Sequence, residues 1–220
     1  YSYMTFRQND VWQDSQRLWE DTLAKYPKST PANVNLCAIY IKQGRLKEAE
    51  KLAVEAIKAL PYDYLAISNL ALTQTMMGEY DNAINNYLIA LRMKPSLVEA
   101  RLGLANALWE KGDWLNAYKM YLELYRQGIM GTPSHAATMF YRLGYGSWKF
   151  GDPRDARAFL AMAEPGLQRD PFKVSELAGV YTSMKDYKRA YRLYSGLYDR
   201  IEDPAAKERL GRLLDALRKR

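Results

Sequence analysis

Apolar residues recur along this chain at the spacing of one helix face, in short runs that stop and restart. Between Leu65 and Met77, the residues Ile67, Leu70 and Ala71 fall three and four positions apart or adjacent, which puts them on one side of an α-helix. Gly78 follows, and glycine accepts the left-handed backbone that helix ends favour. A second run, Ala83, Ile84, Tyr87, Leu88, Ala90 and Leu91, keeps the helical spacing until Pro95 closes it. The predicted unit is two amphipathic helices joined by a tight turn.

That unit repeats. Gly44, Gly78 and Gly112 are 34 residues apart, as are Ala49, Ala83 and Ala117, and as are Pro27, Pro61 and Pro95. Three independent ladders of one period mark a repeat array. A fourth unit follows after 39 residues with Gly151 and Ala156, and a fifth returns to 34 with Ala190. Helix starts are signalled by the capping box Ser96 to Glu99 and by a capping side chain before a proline at Thr30, Asp152, Asp170 and Asp203. Small residues are expected where the two helices of a unit cross: Cys37, Ala71, Ala105, Gly144 and Ala178 opposite Ala49, Ala83, Ala117, Ala156 and Ala190. Tyr87, Tyr121 and Tyr194 are expected to fill the wedges between units.

The pattern resembles the tetratricopeptide repeat (TPR), with its signature L-G/A-x-x-Y, then G, then A-x-x-x-F/Y, then P. The matches are Leu36, Cys37, Tyr40, Gly44, Ala49 and Pro61, then Leu70, Ala71, Gly78, Ala83, Tyr87 and Pro95, then Leu104, Ala105, Gly112, Ala117 and Tyr121. Leu143, Gly144, Gly151 and Ala156 carry a fourth unit, and Leu177, Ala178, Tyr181, Ala190 and Tyr194 a fifth. The resemblance implies an all-α, right-handed superhelical solenoid of about twelve antiparallel helices. Its expected units are 30–63, 64–97, 98–133, 134–171 and 172–204, between a capping or membrane-proximal segment at 1–29 and a capping helix at 205–220. In the first segment Trp12, Leu18, Trp19 and Leu23 are the apolar positions; in the last, Leu210, Leu213, Leu214 and Leu217 form one apolar face. Three departures stand out: a longer connector at 128–133, Pro165 expected to kink or end its helix, and Lys185 where the turn glycine belongs.

Composition adds exclusions. Hydrophobic residues make up 48% and charged residues 26%, which is the balance of a folded domain. One cysteine, Cys37, and one histidine, His135, cannot furnish a His/Cys zinc site or an internal disulfide. Cys37 reads as a packed thiol at a helix crossing, and His135 as a loop or cap residue in the connector. No phosphate loop, dinucleotide glycine cluster, zinc-protease motif or nucleophile elbow occurs, so no enzyme, cofactor or metal is expected. No apolar run approaches the roughly 18 residues that span a bilayer. The net charge is +7, and Phe172 to Arg220 holds twelve basic and seven acidic residues. These basic residues look scattered over the C-terminal helices, unlike the continuous basic groove with interleaved aromatics that a nucleic acid needs.

The TPR resemblance also implies which positions face the inner wall. They are Val34, Ala38, Ile41 and Lys42; Leu65, Ser68, Leu72, Thr75 and Met76; Glu99, Leu102, Asn106, Trp109 and Glu110; and Thr138, Tyr141, Tyr145, Trp148 and Lys149. From these, the expected partner-binding residues are Asn106, Trp109, Tyr141, Tyr145, Trp148, Leu72 and Met76, in a concave groove that takes a protein or peptide. The alternative is that the rings pack between helices. Val34, Ala38 and Leu102 replace the Lys and Asn that a chaperone-tail clamp requires, so that TPR activity is not expected.

The opening stretch is similar to a second pattern. Phe6-Arg7-Gln8-Asn9-Asp10-Val11-Trp12, then Leu18-Trp19, then Pro27, resembles the junction between the last membrane helix and the TPR tail of O-mannosyltransferase-like membrane proteins, although Gln8 interrupts its Arg-Asn pair. This resemblance implies an accessory tail of a membrane glycosyltransferase on the extracytoplasmic side, with the sugar chemistry elsewhere. A stand-alone, cytoplasmic adaptor for complex assembly is the other expectation. Exposed edges of the stack leave self-association open.

Overall fold

The computed structural model describes residues 15–219, apart from the side chains of residues 133 and 134. The sequence-predicted Trp12 and the stretch before it lie outside these residues. Twelve helices and no strand occur among the described residues. They are α1 (15–25), α2 (Thr30–Lys42), α3 (Leu46–Ala59), α4 (Tyr64–Met77), α5 (Tyr80–Met93), α6 (Val98–Lys111), α7 (Trp114–Arg126), α8 (Pro133–Phe150), α9 (Pro153–Leu167), α10 (Pro171–Ser183), α11 (Tyr187–Tyr198) and α12 (Pro204–Arg218). The chain divides into two compact units, Tyr1–Ala117 and Tyr118–Arg220, with the division in the first turn of α7.

Two kinds of turn alternate. Between the first and second helix of a pair, Gly44, Gly78 and Gly112 adopt φ of 74°, 82° and 91°. The amide after each glycine donates back to the last helical turn: Arg45 to Tyr40 O, Glu79 to Gln74 O and Asp113 to Leu108 O, all at 2.8–2.9 Å. This closure satisfies carbonyls that the helix end would otherwise leave unpaired. Lys185 holds the same place at φ 61°, and Asp186 N donates to Tyr181 O at 2.9 Å. Gly151 departs from the pattern: α8 runs 18 residues, and Gly151 has φ −134° and ψ −138° rather than a positive φ.

Between pairs, proline takes the second position of a four-residue turn. Ser29 N donates to Tyr26 O, Asp63 N to Leu60 O and Leu97 N to Lys94 O, at 3.0–3.1 Å. Pro27, Pro61 and Pro95 supply the fixed φ such turns need. The turn sets the helix start, which corrects two sequence expectations. Ser29, not Thr30, is the N-cap of α2, and Leu97 is the N-cap of α6, so the Ser96–Glu99 box does not form. Asp152, Asp170 and Asp203 do cap with their side chains, as does Asp63, whose Oδ1 accepts from Leu65 N and Ala66 N.

Packing inside the pairs follows the small residues. Cys37, Ala71, Ala105 and Ala178 are fully buried, as are Ala49, Ala83, Ala117, Ala156 and Ala190. Tyr87 and Tyr121 are buried to within 1%, and Tyr194 is buried. Within the first unit, Trp19 and Leu23 of α1 pack on the core of α2 and α3. Within the second, Tyr125, Phe140 and Phe159 stack at centroid distances of 5.1–6.4 Å. Leu217 of α12 is buried, and Leu210, Leu213 and Leu214 are half-buried. Pro165 does not end α9, which continues to Leu167. It stands in the last turn, where the lost amide removes one hydrogen bond and few carbonyls follow.

Candidate functional site

In the first unit, the first helices of successive pairs touch in order, α2 to α4 and α4 to α6. Asn69 Nδ2 on α4 donates to Val34 O on α2 at 3.2 Å, tying two of them together. Leu65, Leu72 and Met76 are seven and four residues apart, so they form one stripe of α4. They are 44%, 39% and 50% exposed, an apolar strip in water. On α6, Asn106 and Trp109 are half-buried, and Asn106 stands 34 residues after Leu72, at the equivalent register. Two positions expected on this wall do not present themselves: Ile41 and Ser68 are buried.

In the second unit, Tyr141, Tyr145 and Trp148 lie four and three residues apart on α8 and are half-buried together. The rings of Tyr145 and Trp148 meet edge-on at 5.7 Å and 71°, a favoured aromatic geometry. Lys149 Nζ stands 5.5 Å from the Tyr145 ring centroid. Burial pushes the Tyr141 phenol above its ordinary range, and the nearby Glu176 and Tyr145 push the same way against Arg142. The face therefore combines ring area with the Tyr141 hydroxyl, which burial keeps protonated.

The remaining singled-out residues have structural surroundings. Cys37 is fully buried, and its thiol is pushed up to about 12 by burial, against contacts from Thr73 and the Ala53 backbone. His135 is exposed in the first turn of α8 rather than in a loop, with Nδ1 2.6 Å from Thr132 Oγ1. No group of His, Cys, Asp and Glu suited to a metal occurs among the described residues. None of the described helices is long and apolar enough to cross a membrane. Basic residues that look scattered in sequence are another matter: Arg157, Lys185, Lys188 and Arg218 converge on one concavity of the second unit. Their sequence signals were the basic excess after Phe172 and Lys185 at a glycine position.

Recurring helix pairs, glycine-closed turns and alanine crossings define an all-α repeat solenoid. The fold is that of tetratricopeptide-repeat proteins. Residues 75–112, spanning the end of α4 through α6, match the family model described as TPR repeat. No curated protein matches the sequence. Among solved structures, the chain is similar to pilF of Pseudomonas aeruginosa, with 19% identity and a TM-score of 0.65 over 86% of this chain and 84% of that one. It is also similar to YrrB, described as a TPR protein with an unusual peptide-binding site, with 11% identity and a TM-score of 0.64 over 88% and 97%. A tetratricopeptide repeat protein from Parabacteroides merdae aligns at 15% identity and a TM-score of 0.60 over 96% and 79%.

Proposed function

We propose that this chain is a non-catalytic scaffold that holds a protein or peptide against the first helices of its pairs. The observation that carries this reading is the exposed strip Leu65, Leu72 and Met76, an apolar surface outside the core on a fold built from rigid repeats. Asn106 and Trp109 in one unit, and Tyr141, Tyr145 and Trp148 in the other, supply aromatic area and polar tips of the kind that dominate binding energy. The structural neighbour YrrB, with its peptide-binding site, supports a peptide as the class of ligand.

The resemblance of residues 6–27 supports a finer reading, in which the scaffold is the extracytoplasmic tail of a larger membrane protein such as a glycosyltransferase. The competing reading is a stand-alone adaptor that assembles a complex. One experiment addresses both. Immobilised wild-type chain and a Trp109→Ala/Tyr145→Ala/Trp148→Ala variant are offered separate envelope and cytosolic extracts, and retained proteins are identified by mass spectrometry. The expected result is a set of partners lost by the variant while its helical circular dichroism persists. Envelope partners support the tail and cytosolic partners the adaptor. Partners retained by the variant would make these rings packing residues.

A further inference from the structure

The charge of this protein is divided unequally between its units. Residues 1–117 hold thirteen basic and thirteen acidic residues, whereas residues 118–220 hold nineteen and twelve, so the whole net charge of +7 belongs to the second unit. There it gathers around two adjoining concavities of about 850 and 610 Å³. Arg157 of α9, Lys185 of the α10–α11 turn, Lys188, Arg189 and Arg192 of α11, and Arg218 at the end of α12 line them. Asp186 is the one acidic residue among the described lining.

The internal neutralisation is incomplete. Asp186 Oδ2 lies 3.9 Å from Arg157 Nε and 3.5 Å from Arg189 Nη1, and Arg192 pairs with Glu164. Lys185, Lys188 and Arg218 make no ion pair among the described residues. Donors are also unmet. Arg189 Nη1 is buried, with a charge partner but no hydrogen-bond acceptor, and the hydroxyl of the fully buried Tyr181 has none either; the Arg189 guanidinium stands 5.5 Å from the Tyr181 ring centroid. Buried donors of this kind are costly unless an acceptor reaches them. Lys185 holds a left-handed backbone at the rim, where equivalent turns use glycine. Strain retained at a cationic rim points to a use for that side chain.

We propose that this basic concavity, formed by α9, α11 and the end of α12, docks an acidic segment of a partner polypeptide. Carboxylates match the unpaired Lys185, Lys188 and Arg218 in charge, and the guanidiniums of Arg157, Arg189 and Arg192 offer planar donors to carboxylate oxygens. The rings of Tyr187 and Tyr191 and the side chain of Leu217 supply apolar walls for the peptide's stems and backbone. Concavities of this size hold a short acidic segment, and a nucleic-acid strand is the competing occupant that the oligothymidylate probe tests. The face is separate from the aromatic and apolar positions of the first helices, so its test uses other residues.

The test is fluorescence anisotropy on the full chain with a fluorescein-labelled peptide of alternating Glu and Ser. A Lys-Ser peptide and an oligothymidylate matched in charge to the Glu-Ser peptide serve as comparison probes. The expected result is saturable binding of the Glu-Ser peptide that weakens with salt and no binding of the Lys-Ser peptide. A Lys185→Glu/Lys188→Glu/Arg218→Glu variant is expected to lose about tenfold or more in affinity. A Lys119→Glu/Arg126→Glu/Arg169→Glu variant, equal in net charge but off the concavity, stays within about threefold of wild type. Should the first variant lose helicity, Lys188→Gln/Arg218→Gln carries the test, with a loss of about threefold or more. Absence of binding, or equal losses in both triple variants, overturns the proposal. Tighter binding of oligothymidylate that the first variant abolishes overturns it in favour of a nucleic-acid site.

Discussion

A Cβ added at Gly103 would lie 2.3 Å from Cζ of Tyr87, whose ring is buried to within 1%. Gly103 is in the interior of α6, where alanine would ordinarily gain about 1 kcal/mol in helix propensity. The ring cannot retreat, because it fills a closed space, and overpacking of this kind costs about 1–3 kcal/mol. We therefore expect Gly103→Ala to lower the urea midpoint, the reverse of its propensity effect; an unchanged or raised midpoint would show that Tyr87 has room to move. Gly146 stands in the same relation to Tyr118, where an added Cβ would be 2.4 Å from the ring. Neither glycine was legible in the sequence, since both sit inside helices and make no turn. Their reason is the ring packed against them, which belongs to another helix.

At the scale of the element, the turns explain what the motifs left ambiguous. Glycine at 44, 78 and 112 reads directly from sequence, because a left-handed helix end penalises every residue with a Cβ. Lys185 accepts that penalty, since Asp186 N still closes on Tyr181 O. Lys185→Gly is expected to raise stability by about 1 kcal/mol, or about 2–4 °C in Tm for a chain of this size. A thermal scan showing no gain would mean that the Lys185 backbone is relaxed. Helix starts were less legible. The Pro-centred turns place the N-cap at Ser29, Asp63 and Leu97 whatever side chain stands there, so capping residues one position away are not used.

Across the whole molecule, buried phenols and one buried thiol make stability depend on alkaline pH. Burial raises Tyr87 to about 12 against a weaker opposing bond from Thr75, and it raises Cys37 to about 12. Tyr181 and Tyr194 in the second unit are raised in the same direction by burial. Each group is held neutral by the fold. The stability it contributes is complete below its unfolded value, 9.0 for the thiol and 10.0 for the phenols. It is lost as pH rises through the folded value, because the unfolded chain releases its protons first. Tyr87 alone contributes about 2–3 kcal/mol to this slope. Thermal scans should be flat from pH 7 to pH 9 and fall steeply between pH 9 and about pH 12, with a shallower fall for Tyr87→Phe. A flat profile to the end of that range would show that these groups ionise without unfolding.

The 34-residue ladders determined the helix pairs, their turns and the alanine crossings, because those depend on local backbone preference and on steric limits that recur with the period. The aromatic face of Tyr141, Tyr145 and Trp148 was legible for the same reason: its members share one helix. Tertiary structure decided which residues of the expected wall are open, since Ile41 and Ser68 are buried while Leu72 and Met76 are exposed. It also decided where the charge goes. Arg157, Lys185, Lys188 and Arg218 span three helices and a turn, so no spacing along the chain announces them, and only the packing of α9, α11 and α12 brings their charges to one place.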